Sequence, residues 1–243
     1  AVEIVHCHGI RFDTVHFSRD EDTWISGCHA IFFWMENRFY NSARSILGLS
    51  ATINGTGFMV TTSFLKQIGY NTYTCTEDIE FSLQSILAGK RIGWVPGAVL
   101  YDEQPIALGQ SMTQRTRWIK GFIQCFTRYS GSMLRKILKK PDDVAVDAFM
   151  YLIGFLVMIA GMISCAMSFI FVVLRIFDPV GTLINLLFIT IGSLFAFWFA
   201  AAFELFLDKR LSKGLVKAIF TFPIFNALWV PIYIVCIFKK KVD

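Results

Sequence analysis

The sequence predicts an α/β unit, then amphipathic interface helices, then an α-helical transmembrane region. Three observations carry that expectation. Residues 1–111 alternate short β-branched and aromatic runs with amphipathic stretches, residues 112–146 set aromatic and aliphatic side chains opposite basic ones, and residues 147–243 hold three apolar segments. The chain of 243 residues is 55% hydrophobic, and its mean hydropathy of +0.54 is too high for an ordinary soluble protein. The excess is local. Residues 149–176, 182–207 and 215–238 each reach the ~20 apolar residues that cross a bilayer, with Arg175, Glu204 and Lys217 the charges near their ends. A buried core helix is rarely this long.

The 23 Lys and Arg outnumber the 18 Asp and Glu mainly beside the apolar segments, in LRKILKK (134–140), DKRLSKG (208–214) and KKK (239–241). Such clusters mark a cytoplasmic side and attract anionic lipid headgroups, so the lipid bilayer is an expected partner. No basic patch interleaved with exposed aromatics is present, and nucleic acid is not expected. The six cysteines (Cys7, Cys28, Cys75, Cys125, Cys165, Cys236) form no close pairs. That argues against a disulfide framework or zinc site and suits a reducing compartment. The sequon Asn54-Gly55-Thr56 would matter only in a lumenal domain. With no initiating Met, and with AVEIVHCHGI reading as a strand entered midway, the chain is expected to be the C-terminal part of something longer.

Taken in order, VEIVHCHGIRF has strand composition. His6 and His8 would share one strand face, a spacing metals sometimes use, but no third ligand is near. AIFFWMENRFYNSARSIL (30–47) predicts a helix with an aromatic face. A Gly-rich turn follows, Asn54-Gly55-Thr56-Gly57-Phe58, which either turns tightly or lets backbone approach a ligand. FMVTT predicts a short strand, and a helix opens at Ser63 as N-cap and closes at Gly69. Thr76 is a plausible N-cap for a helix with Ile79, Leu83, Ile86 and Leu87 on its apolar face and Gly89 as its stop. RIGWVP and AVLYDE predict strands. Beyond Gln110, Trp118, Ile119, Phe122, Ile123 and Phe126 lie opposite Arg115, Lys120 and Arg128, as on a helix at a membrane surface.

In the third apolar segment, Pro223 and Pro231 pose a choice. A simple crossing leaves Lys239 to Lys241 outside, against the positive-inside tendency, whereas a break at the prolines allows a re-entrant hairpin.

Two stretches carry chemistry. YTCTEDIEFSL places Glu77, Asp78 and Glu80 at a helix start, where acids are favoured by the helix dipole. A carboxylate there, partly walled by apolar surface, can be tuned as a base. Thirty-six positions beyond Asp78, QRTRWIKG begins at Gln114. Gln114, Arg117 and Trp118 fall at i, i+3 and i+4, on one helical face. Arg117 offers a fixed donor fork suited to phosphate, and Gln114 a neutral hydrogen bond.

Together, T-E-D and Q-x-x-R-W ahead of membrane segments resemble the processive family 2 glycosyltransferases, the group of cellulose synthase, hyaluronan synthase and poly-N-acetylglucosamine synthase. The resemblance implies that residues 1–111 are the C-terminal part of a GT-A-type catalytic domain on the cytosolic face of the plasma membrane. It implies inverting, processive transfer from a UDP-sugar donor to a growing polysaccharide coupled to export. It makes Asp78 the catalytic base and Glu77 a neighbour shaping the site, with Glu80 structural. Gln114, Arg117 and Trp118 bind donor diphosphate and acceptor sugar, and Gly55, Thr56 and Gly57 match the region lining the acceptor.

An interfacial anchor is the ordinary reading of such a Trp, and the T-E-D partner favours the site. The resemblance also implies Mg²⁺ or Mn²⁺ held by a D-x-D motif. Asp20-Glu21-Asp22 matches its letters, but follows a polar stretch and lies only 58 residues before Asp78. The metal ligands are therefore expected before Ala1, no metal ligand is assigned here, and residues 1–243 alone are expected to be inactive. Other readings are a lipid-linked glycosyltransferase, an inactive scaffold, and a transporter, for which Glu204 is the sole acid well inside a segment.

Overall fold

A computed structural model describes residues 4–6, 23–55, 57–95, 104–174, 178–209 and 212–238. These residues are mostly helical. Of the expected α/β unit the described residues show one parallel pair, too little to bear out a GT-A sheet: β1 (Ile4–His6) against β2 (Ile92–Trp94), in register Ile4 with Ile92 and His6 with Trp94. Residues 58–60 of the expected FMVTT strand belong to no strand. The rest of the first strand, the side chains of His6 and His8, Asp20 to Asp22, and the AVLYDE run lie outside the described residues.

Helix α1 (Trp24–Met35) starts earlier than its aromatic run suggests, because Thr23 Oγ1 caps it by accepting from the Ser26 N–H at 3.3 Å. It continues without a break through a π-helical stretch (Glu36–Ser42) into α2 (Ala43–Ile46). Helix α3 (Thr62–Ile68) is capped by Thr61, whose Oγ1 accepts from Phe64 N–H at 3.4 Å, so Ser63 lies inside the helix rather than at its start. Gly69, at φ +73°, ends it as expected. Helix α4 (Glu77–Leu87) ends before Gly89, at φ +78°. Ala51, Ile53, Phe64, Phe81, Ile92 and Trp94 close a small core between these elements.

Helix α5 (Leu108–Lys139) is one helix of 32 residues, and after Pro141 α6 (Asp143–Val173) starts on the cap of Asp142. Helices α7 (Pro179–Leu207), α8 (Lys213–Ala227) and α9 (Trp229–Phe238) follow. The third apolar segment is interrupted at Leu228, between Pro223, which removes a hydrogen bond inside α8, and Pro231, which stands in the first turn of α9. Among the described residues, three stretches are long and apolar enough to cross a membrane: Asp143–Val173, Pro179–Leu207 and Gly214–Phe238. Phe169, Leu187, Phe188 and Phe195 lie exposed on α6 and α7, as lipid-facing side chains would.

The long helix α5 is the spine. One flank meets Leu83 and Ile86 of α4 and Ala145, Ala148 and Leu152 of α6, and another meets Ile232, Tyr233 and Cys236 of α9. The α1 helix is tied down by Ile31 and Trp34 against Leu205 of α7 and Phe222 of α8. Beyond it, Arg38 pairs with Glu204 at 3.1 Å and with Asp208, and Arg44 pairs with Asp147 at 2.7 Å. Glu204 thus anchors a helix rather than lining a transport path.

Where α1 meets α8 the spacing is set by small residues, the usual device for close helix contact in membranes. A methyl group on Gly27 would stand 2.7 Å from Ala218 Cβ, whereas one on Gly131 would meet nothing within 4 Å. Gly27→Val should therefore destabilise the protein by about 1–3 kcal/mol through overpacking, while Gly131→Ala should be neutral or stabilising by up to ~1 kcal/mol. Thermal unfolding of both variants in detergent checks the contrast.

Candidate active site

The site is built where the start of α4 meets α5. Thr76 occupies the N-cap position of α4, but its side chain makes no capping hydrogen bond. It packs instead on α5, with Oγ1 3.7 Å from Cys125 Sγ. Gly121 makes this possible. A methyl group there would lie 2.7 Å from Thr76 N and closer still to Oγ1 and Cγ2. A glycine inside a long helix costs about 1 kcal/mol relative to alanine, and that local misfit, in WIKG, was the sequence's signal for a contact it did not otherwise reveal.

Glu80 locks the same junction. It is fully buried and accepts from Tyr73 N–H, Thr74 N–H and the Tyr129 hydroxyl, each at 2.7 Å. Burial alone would raise its pKa, but hydrogen bonds from Tyr129, Tyr73 and Thr74 outweigh it and hold the pKa below the usual value. With its oxygens so engaged, Glu80 joins the loop before α4 to α5.

Asp78, by contrast, is half-buried, and among the described residues its Oδ2 takes no hydrogen bond. Its Oδ1 accepts from Ile79 N–H at 2.8 Å, and a methyl group on Gly55 would stand 3.5 Å from Oδ2. Burial pushes the Asp78 carboxyl up to about 6. The Ile79 N–H opposes the rise, the charge of Glu77 adds to it, and Arg117 counters it from α5. Glu77 and Arg117 are both exposed beside it. Gly55 and Gly57 have φ of +78° and +56°, which disfavour any side chain, while Thr56 lies outside the described residues. The loop is held to α4 through Ser82, whose Oγ accepts from Ile53 N–H at 3.0 Å and donates to Asp78 O at 2.8 Å.

Trp118, half-buried, lies nearly parallel to Phe32 (centroids 6.5 Å) and to Trp229 (6.3 Å), with Phe33 edge-on at 5.8 Å. Gln114 has a buried Oε1 with no hydrogen-bond partner among the described residues. The structure therefore brings Asp78, Glu77 and Arg117 to one place and sets Trp118 in the aromatic junction of α1, α5 and α9.

Residues 4–207 match the family model described as glycosyl transferase family group 2. The chain belongs to that family. A probable glycosyltransferase, YdaM, of Bacillus subtilis (strain 168) is 24% identical over 160 residues, covering 65% of this chain and 35% of that protein. The present chain thus aligns with about a third of the length of this curated relative.

In this member of the family the expected polar face of α5 needs correction. Arg115 and Lys120, expected opposite the aromatic face, are both buried. Arg115 Nη1 donates to Phe225 O at 2.8 Å, and its guanidinium lies over the Phe225 and Trp229 rings at 4.2 and 4.8 Å. Phe225 sits in the last turn of α8, where carbonyls lack helical partners and the dipole favours a cation. Burial lowers the Arg115 pKa to about 10. Helix α5 is covered on this side by α8 and α9.

The implied divalent metal finds no ligand set here. No three His, Cys, Asp or Glu converge among the described residues, and Glu80, the most buried acid of the α4 start, has its oxygens taken.

A raised Asp78 pKa has a cost for the fold. The unfolded chain ionises this group near its ordinary value, so the folded state is favoured below that value and loses the advantage as pH rises through about 6. Asp78→Asn should therefore raise the melting temperature at pH 7.5 and leave it nearly unchanged at pH 4, measured by thermal unfolding at both values.

Proposed function

We propose that the protein is a membrane-embedded inverting glycosyltransferase that passes a sugar from a UDP-sugar to a growing polysaccharide, processively and coupled to export. Its catalytic part faces the cytosol at the plasma membrane. The observation that carries this reading is the join at Gly121, which holds the T-E-D carboxylates against the helix bearing Gln114, Arg117 and Trp118.

In this mechanism Asp78 takes the proton from the acceptor hydroxyl as its oxygen attacks the anomeric carbon from the face opposite the leaving group. The bond from that carbon to the nucleoside diphosphate breaks, inverting the centre. Ionised above about pH 6, Asp78 is a base suited to neutral pH. Arg117 meets the departing phosphate charge and Gln114 adds a hydrogen bond. Trp118 stacks on the acceptor sugar, and the loop at Gly55, Thr56 and Gly57 borders it. Glu77 keeps the local charge negative beside the base. A Mg²⁺ or Mn²⁺ ion bound to the donor by residues outside those described completes the proposal.

The full-length protein in membranes, given a panel of UDP-sugars with Mg²⁺ or Mn²⁺, should release nucleoside diphosphate from one donor and make a long product. Asp78→Asn should lower kcat by roughly 10²–10⁴, the usual contribution of a general base. Equal turnover in the variant would refute the assignment of Asp78. A product one sugar longer than its acceptor would refute processivity.

A further inference from the structure

Helix α5 begins without a side-chain cap. Its N-cap position is Ala107, which makes no capping hydrogen bond, and its first turn holds no acid to meet the helix dipole. Gly109, a poor helix former, weakens that turn further. Yet the turn stands one helical repeat before Gln114 and two before Trp118, so whatever fixes it also fixes them.

The fixing comes from α1. His29 is fully buried, and its Nε2 lies 2.8 Å from the Oγ of Ser111, which is fully buried too. Ser111, Arg115 and Trp118 fall at i, i+4 and i+7, one stripe of α5. His29 reaches each member of that stripe, Arg115 through a shared ring. The imidazole stands edge-on to Trp118 at 6.2 Å and edge-on to Phe225 at 5.0 Å, and the Arg115 guanidinium lies over the same Phe225 ring at 4.2 Å.

A hydrogen bond, not packing, is what a histidine adds there. Its Nδ1 is buried with no partner among the described residues, a cost that an apolar ring would avoid. Among those residues the ring makes its one hydrogen bond to Ser111. Burial first, and the Arg115 charge second, hold the His29 pKa down to about 3, so the imidazole is neutral at any working pH.

We propose that His29 is a positioning residue of this transferase. Through Ser111 it fixes the uncapped start of α5, and its ring fixes the edge of Trp118, so the indole presents one orientation to the acceptor chain. The inference rests on Trp118 stacking on the acceptor sugar. A loosened indole would hold the growing chain less firmly between transfers, while Asp78, set by the Gly121 junction, would keep its place.

The test uses the full-length protein in membranes with the UDP-sugar that turns over, and reads mean product length and the KM for that donor. His29→Phe keeps an aromatic ring and loses Nε2, whereas Ser111→Ala removes the other half of the bond. Each should shorten the product about fivefold, the effect of one hydrogen bond on chain release, and move the donor KM by less than about twofold. The double variant should be no worse than either single one, because both remove the same contact. His29→Gln, whose amide nitrogen stands in for Nε2, should recover most of the length. Full-length product from His29→Phe and Ser111→Ala, with Trp118→Phe shortened, overturns the role of His29 and leaves Trp118 standing. So does a loss of turnover at unchanged length, which is what a merely structural residue would give. Full-length product from Trp118→Phe, or a wild-type product of one added sugar, overturns the reading of Trp118 and this proposal with it. If His29→Phe fails to accumulate, Ser111→Ala decides the outcome alone.

Discussion

The missing side chain at Gly121 sets how closely α4 and α5 can approach, and the site depends on that distance. Thr76, the first residue of T-E-D, rests directly on the glycine. Glu80 then reaches past it to the Tyr129 hydroxyl, a turn of helix and more farther along α5. The contact therefore has a steric half and a hydrogen-bonded half. Between them they determine which way Asp78 and Glu77 face, and they put Arg117 where its charge acts on Asp78. A wider spacing would cost the buried Glu80 its bond from the Tyr129 hydroxyl, a larger loss than that of an exposed hydrogen bond.

The opposite flank of α5 faces a different problem. The third apolar segment is broken at Leu228, and a broken helix in an apolar setting exposes carbonyls that water cannot reach. Arg115 answers one of them, at Phe225, and its guanidinium also covers the rings of Phe225 and Trp229. The adjacent Trp118 lies against Trp229 at the start of α9. One helix thus carries Gln114, Arg117 and Trp118 of the candidate site and the residue that stabilises the break in the segment behind it. That arrangement gives the chemistry and the membrane region a shared rigid element.

Much of this was legible in the sequence, for physical reasons. The three long apolar stretches needed only length and hydropathy, and the α4 helix was marked by its 3.6-residue period and terminal Gly89. The motif residues stood out because T-E-D and Q-x-x-R-W occur together, since acids at a helix start and an interfacial Trp each have an ordinary structural use. Arg115 was not legible. Periodicity cannot distinguish an arginine facing water from one whose charge is met by a carbonyl 110 residues away. Thr61 and Ser63 both carry a capping hydroxyl, and the choice between them was settled by which Oγ the chain brings to the Phe64 N–H. FMVTT is the expected strand that the described residues do not form, and a run so short is easily overridden by its packing context.

The most direct test of the central claim uses a cysteine already present. Thr76 Oγ1 lies 3.7 Å from Cys125 Sγ across the α4–α5 junction. Thr76→Cys, made with Cys75→Ser to remove the neighbouring thiol, places two sulfurs within reach of a disulfide after a small adjustment. Mild oxidation of the full-length protein in membranes, followed by peptide mapping, should yield a 76–125 cross-link and little other. Two thiols that stay free, or that pair elsewhere, would mean that the T-E-D helix start does not rest on α5, and the site described here would not exist as a unit.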